Sequence, residues 1–289
     1  MPLIDGLRDS PPFLVSAVTI LSLLVGSFLN VVILRLPRML ERDWQREARE
    51  ILSLPAEPAE KFSIVFPASH CPSCSAPIKP WHNIPLLGWL MLRGHCAACK
   101  APISVQYPLV EAASGVMAGL CAWHFGWGPQ LAGALALTWT LLALAVIDLR
   151  TQLLPDNLTL PLMWLGLGVN LYGVFVPIET AVIGAMIGYL SLWSIFHLFR
   201  LVTGKEGMGY GDFKLLAAIG AWLGWQALPM VILLSSLVGA VVGIGLIAFR
   251  RHDRQIPIPF GPYLAAAGWL ALLYGDSIKE GYFRMSGLG

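Results

Sequence analysis

The sequence predicts an all-α polytopic membrane protein of about eight transmembrane helices, with a cytoplasmic zinc-knuckle insert between helices 1 and 2. Three observations predict it. Only 12% of the 289 residues are charged, about half the share in a soluble chain. Hydrophobic residues reach 56%, 29 glycines come on top of them, and the mean hydropathy is +0.69. Apolar stretches near 20 residues, long enough to cross a hydrocarbon core of about 30 Å, recur along the chain. So few charges cannot cover a soluble surface. That excludes a soluble globular protein, a disordered chain, a secreted disulfide scaffold and a nucleic-acid binder.

The apolar stretches are 13–34, 107–125, 131–147, 158–176, 181–201, 213–225, 228–249 and 258–275. The third is slightly short. The sixth reaches span length only if its helix starts before Phe213 or runs past Trp225. The first follows Asp5, Arg8 and Asp9 rather than a basic stretch, and no small-x-small site comes after it, so it reads as a span and not a signal peptide. Of the 19 Lys and Arg residues, all but Arg8, Lys279 and Arg284 fall in one alternate set of loops. The positive-inside rule makes that side cytoplasmic and both termini extracytoplasmic. The expected organisation is an N-terminal segment with helix 1 over 1–34, the insert over 35–106, helices 2–8 over 107–275 and a tail over 276–289. The start of the insert, Glu41 to Glu60, mixes charges at helical spacing before Pro55 and Pro58 and reads as a solvated helix and linker. No internal repeat and no low-complexity tract is expected.

Cys71-Pro-Ser-Cys74 and Cys96-Ala-Ala-Cys99 are two CxxC knuckles inside the insert. Each turn supplies two thiolates, and two such turns close a tetrahedral Zn²⁺ site. A reducing cytoplasm disfavours structural disulfides there, and zinc is favoured over a dithiol redox pair. Four thiolates leave no open position for water, so the metal's role is folding. His70 and His95 flank the knuckles, but the cysteines already complete the site. Cys121, alone in the second span, reads as a small buried apolar residue.

Ionisable groups within spans are costly and usually functional. Glu111, Asp148 and Asp212 are such groups. Asp148 closes the run Leu141 to Ile147 at the cytoplasmic end of span three, and Asp212 opens span six within Gly207-Met-Gly-Tyr-Gly-Asp212-Phe-Lys214. Two carboxylates at one depth can share a proton. The ionised member then deprotonates a water while the neutral one protonates a peptide carbonyl. Gly209 and Gly211 offer a backbone that an extended peptide can approach closely. The structural alternatives are that Asp148 pairs with Arg150 and that Asp212 caps its helix. Asp156, in Leu154-Pro-Asp-Asn-Leu158, reads as a helix N-cap. Glu111 reads as a helix-dipole partner or a polar contact to the catalytic region.

Together these residues resemble the type IV prepilin peptidases, a branch of the GxGD membrane aspartyl proteases. Gly209-Tyr-Gly-Asp212-Phe-Lys214 resembles their GxGDxK signature. Gly26 to Ile33 with Arg35-Leu-Pro37, Asn83-Ile-Pro-Leu-Leu87, Tyr107 to Glu111, Leu154-Pro-Asp156, Pro259-Phe-Gly-Pro262 and the paired knuckles agree in order along the chain. His95 departs from the Lys or Arg of many relatives. The resemblance implies catalytic Asp148 and Asp212, and cleavage after a Gly, at the cytoplasmic face of a bacterial inner membrane. The substrates would be type IV prepilins and type II secretion pseudopilins. It also implies N-methylation of the new terminus by S-adenosylmethionine, an activity for which no dinucleotide-type fingerprint is present. Candidate substrate contacts are Gly209, Gly211, Lys214, Glu111 and Asp156, and acids at Glu206, Asp156 and Asp253 would meet a basic leader. A transporter or proton channel would instead need inverted repeats and midplane carboxylates. A quinone-linked thiol oxidoreductase would want its cysteines on the opposite face, and a zinc-knuckle scaffold would tolerate Asp→Asn changes.

Overall fold

The computed structural model describes residues 2–55, 62–205, 207–250 and 259–286. Among these, the regular structure is helical, with two isolated bridges in place of strands. The chain divides into two compact units, Met1–Gly126 and Trp127–Gly289. Four segments are long and apolar enough to cross a membrane by length and composition: Pro11–Ile51, Pro129–Thr151, Ile178–Thr203 and Trp225–Gly245. A helix also occupies each of the other four predicted stretches.

The first unit holds α1 (Pro2–Asp9), α2 (Pro11–Ile51), α3 (Leu87–Met91) and α4 (Gln106–Phe125). α2 does not stop where the apolar stretch ends at residue 34. It runs on to Ile51, 41 residues in all, about 62 Å at 1.5 Å per residue, twice the hydrocarbon thickness. The charged extension from Arg38 to Glu50 lacks glycine and carries an i,i+3 pair, Asp43 to Arg46 at 2.8 Å, so nothing in it breaks the helix. Arg35 gives its guanidinium to the carbonyls of Ser63, Ile64 and Pro67 at 2.7–3.1 Å, which ties the returning loop to α2. α2 and α4 lie in close contact. A methyl group at Gly26 would stand 2.8 Å from the Glu111 Cα, and Ser114 Oγ donates to Ser22 O at 2.7 Å. Small residues and hydroxyl bonds are what hold helices together where lipid removes the hydrophobic drive.

The second unit holds α5 (Pro129–Thr151), α6 (Asp156–Asn170), α7 (Ile178–Thr203), α8 (Tyr210–Leu223), α9 (Leu228–Arg250) and α10 (Gly261–Ser286). α8 is its centre: from Asp212 to Trp222 every residue except Lys214 is buried. It begins before Phe213, as span length requires, yet has only 14 residues because Gly224, at φ 76°, turns the chain. α6 also ends early. The Asn170 side chain donates to the Ala221 and Trp222 carbonyls and accepts from the Phe175 and Val176 amides, pinning the turn that the hydropathy pattern had extended to residue 176. Trp222 donates to Leu162 O at 2.8 Å. Gly184 and Gly220 bring the α7 and α8 backbones into contact. These locks sit at the far end of α8 from Asp212 and fix its position.

Candidate functional site

Two constellations stand out, one in each unit. In the first unit, the Cys71, Cys74, Cys96 and Cys99 sulfurs lie within 4.8 Å of one another, with Cys71 and Cys99 Sγ 3.8 Å apart. Zinc–sulfur bonds of about 2.3 Å in a tetrahedron place sulfurs about 3.8 Å apart, so the donor set fits a zinc ion. The knuckle turns lower the first thiol of each pair. Backbone amides of Ser73 and Cys74 lower the Cys71 thiol to about 6, and those of Cys99 and Ala98 lower Cys96. Cys121 is fully buried in α4, apart from this cluster.

The knuckles are copies of each other, which corrects the expectation of no internal repeat. His70-Cys-x-x-Cys-x-Ala-Pro-Ile78 recurs as His95-Cys-x-x-Cys-x-Ala-Pro-Ile103. The geometry repeats as well. Cys71 N bonds Ala76 O at 2.9 Å, and Cys96 N bonds Ala101 O at 2.8 Å. His70 bridges Pro77 and His95 bridges Pro102, and Ser75 and Lys100 both adopt positive φ. Each histidine Nδ1 bonds the carbonyl two residues back, at 2.8 and 2.7 Å. The repeat is only nine residues long, and the CxxC spacing drew the eye away from its flanks.

In the second unit, Asp148 and Asp212 come within electrostatic reach of each other, and both are buried, 5% and 6% exposed. Asp148 lies in the last turn of α5. Its Oδ2 accepts the Gly261 amide at 3.0 Å, so the first turn of α10 points at this carboxylate, where the helix dipole favours negative charge. A methyl group at Gly261 would stand 2.6 Å from that oxygen, which leaves room only for glycine. Asp212 does not cap its helix. Gly209 is the N-cap, and Asp212, three residues on, turns back toward the Gly209 amide. Its Oδ1 is buried without a hydrogen-bond partner among the described residues. Phe213, fully buried, packs its ring against Tyr189, Phe196 and Tyr210 and anchors this end of α8 to α7.

Leu154 is the residue that sequence reasoning passed over. Its side chain lies where a methyl at Gly211 would stand (2.6 Å) and 3.1 Å from one at Gly261. It therefore wedges between the starts of α8 and α10 and aligns both aspartates. Gly211 is thus occupied by packing, whereas Gly209 faces open space: a methyl there would meet Asp212 Oδ2 only at 3.8 Å. Of the two glycines expected to admit a peptide, Gly209 keeps an open side. Nothing in the order Leu154-Pro-Asp or Pro259-Phe-Gly-Pro signals these contacts across the unit. The one available hint was a glycine held between prolines at a helix start.

Asp156 is not an N-cap; Pro155 is. Its carboxylate takes Lys214 Nζ on both oxygens at 2.7 Å, joining the starts of α6 and α8. Glu111 lies in the first unit, 7% exposed, and its Oε2 accepts the Leu86 amide at 2.8 Å from the segment between the knuckles. Leu86 has φ 60°, a costly conformation for leucine that this carboxylate helps to hold. Glu206 and Asp253 lie outside the described residues.

Comparison with known proteins follows the division into units. Residues 20–125 match the Bacterial Peptidase A24 N-terminal domain, and residues 135–244 match the Type IV leader peptidase family. The chain is 57% identical over 286 residues to a prepilin leader peptidase/N-methyltransferase of Stutzerimonas stutzeri, covering 99% of both chains. It is 56% identical over 288 residues to one of Pseudomonas aeruginosa, again covering 99% of both. With one of Neisseria gonorrhoeae it shares 50% over 270 residues, 92% of this chain and 93% of the relative. No solved structure matches.

Proposed function

The chain belongs to the type IV leader peptidase family, and from that membership we propose its reaction: it removes the leader of type IV prepilins and methylates the amine so exposed. The observation that carries the peptidase chemistry is the buried pair Asp148 and Asp212, one fixed by a backbone amide and the other with a free oxygen. Like charges this close in a low-dielectric site do not both ionise, so the pair holds one proton.

The surroundings of the two carboxylates support the following roles. Asp148 Oδ2 accepts the Gly261 amide, a bond that favours the ionised form. Asp148 is the ionised member and takes a proton from the attacking water. Asp212 holds the shared proton on its unpartnered Oδ1 and gives it to the scissile carbonyl oxygen. The oxyanion is neutralised as the carbon–oxygen bond forms; the tetrahedral intermediate then collapses, the leaving amine taking the proton held by Asp148 while a hydroxyl proton returns to Asp212. An extended peptide has exposed carbonyls where a helix does not. The open side of Gly209, next to Asp212 Oδ2, is where such a strand lies. Type II secretion pseudopilins share the chemistry of this substrate.

The protein sits in the bacterial inner membrane with eight spans and both termini extracytoplasmic, and the dyad faces the cytoplasm. This arrangement is supported by the one-sided basic residues and by a helix in each apolar stretch. Cys71, Cys74, Cys96 and Cys99 hold a structural zinc ion, which cross-links the insert when bound. S-adenosylmethionine supplies the methyl group. Incubating the purified protein with a prepilin and S-adenosylmethionine, then reading the product N-terminus by mass spectrometry, tests the reading. Cleavage after glycine with a mass gain of one methyl is expected. Normal cleavage by Asp148→Asn or Asp212→Asn would falsify the dyad assignment.

A further inference from the structure

The first unit contains a buried polar cluster for which the peptidase reaction has no use. Where Gly26 of α2 abuts Glu111 of α4, Asn30 lies one turn further along α2. Asn30 is 1% exposed, and its amide nitrogen donates to Gly26 O at 3.3 Å and Tyr107 O at 3.1 Å. Its Oδ1 has no partner among the described residues. Glu111 takes the Leu86 amide at 2.8 Å, and the Ser27 hydroxyl is its second hydrogen-bonding neighbour. Ser22 Oγ, fully buried a turn beyond Gly26, is also unpartnered. An apolar helix pair thus holds a buried carboxylate and an amide oxygen that no donor meets among the described residues. Buried acceptors left unmatched are costly, and these two suit a guest rich in N–H groups and positively charged.

The reaction provides such a guest. A free α-amino group, with an ordinary pKa near 8, is an ammonium at neutral pH. The cluster falls within the residues matched by the N-terminal domain, whereas both aspartates fall within those matched by the leader peptidase family. We propose that Glu111, with Asn30, receives the α-ammonium group of the trimmed substrate and acts as base in its methylation. The proposal rests on the methyltransferase half of the function above. In this step the ammonium gives one proton to the Glu111 carboxylate. The nitrogen lone pair then forms a bond to the methyl carbon of the sulfonium donor as the carbon–sulfur bond breaks. Sulfur keeps that electron pair and leaves as a neutral thioether; the product is a methylammonium, and Glu111 returns its proton to water.

The test uses the full-length protein in lipid vesicles, with a synthetic peptide that already has a free N-terminal Phe and with S-adenosylmethionine labelled in its methyl group. Glu111→Gln keeps the length and the acceptor for Leu86 but removes the charge; Glu111→Asp keeps the charge but shortens the reach. The expected result is a loss of about 100-fold in methylation for Glu111→Gln at pH 7. About tenfold is recovered at pH 9, where most of the amine is already unprotonated, and Glu111→Asp outperforms Glu111→Gln. A merely structural Glu111 gives the reverse order, since glutamine preserves the Leu86 bond better, and gives no recovery with pH. Either of those outcomes, or methylation by Glu111→Gln within threefold of the parent at pH 7, overturns the proposal. Methylation of the same peptide by the parent reports separately on the methyltransferase function from which it proceeds.

Discussion

The knuckle site and the aspartate pair solve the problem of assembling reactive groups in opposite ways. Each knuckle is built locally: two thiols come from one tight turn, and the turn's own amides lower the first of them. The same nine-residue unit is used twice, so only one long-range meeting is needed, across 28 residues between Cys71 and Cys99. The dyad has no local unit at all. It needs the end of α5, the start of α8 and the start of α10 to converge, and the bond that fixes Asp148 reaches 113 residues along the chain. The cysteine cluster therefore depends on its own two turns, whereas the aspartate pair depends on residues that carry no chemistry of their own.

That contrast can be tested in graded steps. Replacing either aspartate by asparagine removes the reaction's proton traffic. Peptidase turnover should fall by about 10³-fold or more, and prepilin binding in a pull-down should change little. Metal removal comes next on the other side. Chelation or Cys96→Ser should abolish zinc in elemental analysis and unfold the insert, seen as rapid proteolysis between residues 62 and 105, because a structural site contributes its binding energy to folding. If zinc-free protein resists protease as well as the parent, the insert does not need its metal. Gly261→Ala should lower kcat about 10- to 100-fold with KM within about twofold, since the methyl displaces Asp148 without touching substrate. A kcat within twofold of the parent would mean that the dyad does not depend on α10. The smallest effect belongs to Lys214→Met. Its pair with Asp156, whose side chain is 52% exposed, is worth at most about 1 kcal/mol. The melting temperature should drop by a few degrees at most.

Much of this architecture was legible in the sequence because lipid imposes a simple rule on it. A stretch that crosses a bilayer must be apolar for about 20 residues; a helix occupies each of the eight apolar stretches, and four segments are long and apolar enough to cross. Helix ends were less legible. Hydropathy marks where a chain is apolar and says nothing of where a helix stops, so the charged part of α2, read as a separate solvated helix, was not joined to the span and the turn at Asn170 was missed. The four cysteines were legible because their spacing alone states their geometry. Asp148 and Asp212 were legible as ionisable groups in costly places. Gly261 and Leu154 were not, since a glycine and a leucine in a membrane protein are ordinary until the helices that bear them are brought together. Asp156 was misread for a related reason: the local rule for a helix start was outweighed by a lysine 58 residues away.

The Leu154 wedge makes three positions genetically inseparable. One side chain fills the space that a methyl would need at both Gly211 and Gly261, so neither glycine can gain a side chain freely while residue 154 is leucine. A strain carrying Gly211→Ala should fail to process its pilins, and among spontaneous revertants glycine at position 154 should appear as an intragenic suppressor, since the leucine Cβ is the nearest atom. Gly261→Ala should resist the same rescue, since its methyl still meets Asp148 after the leucine has gone.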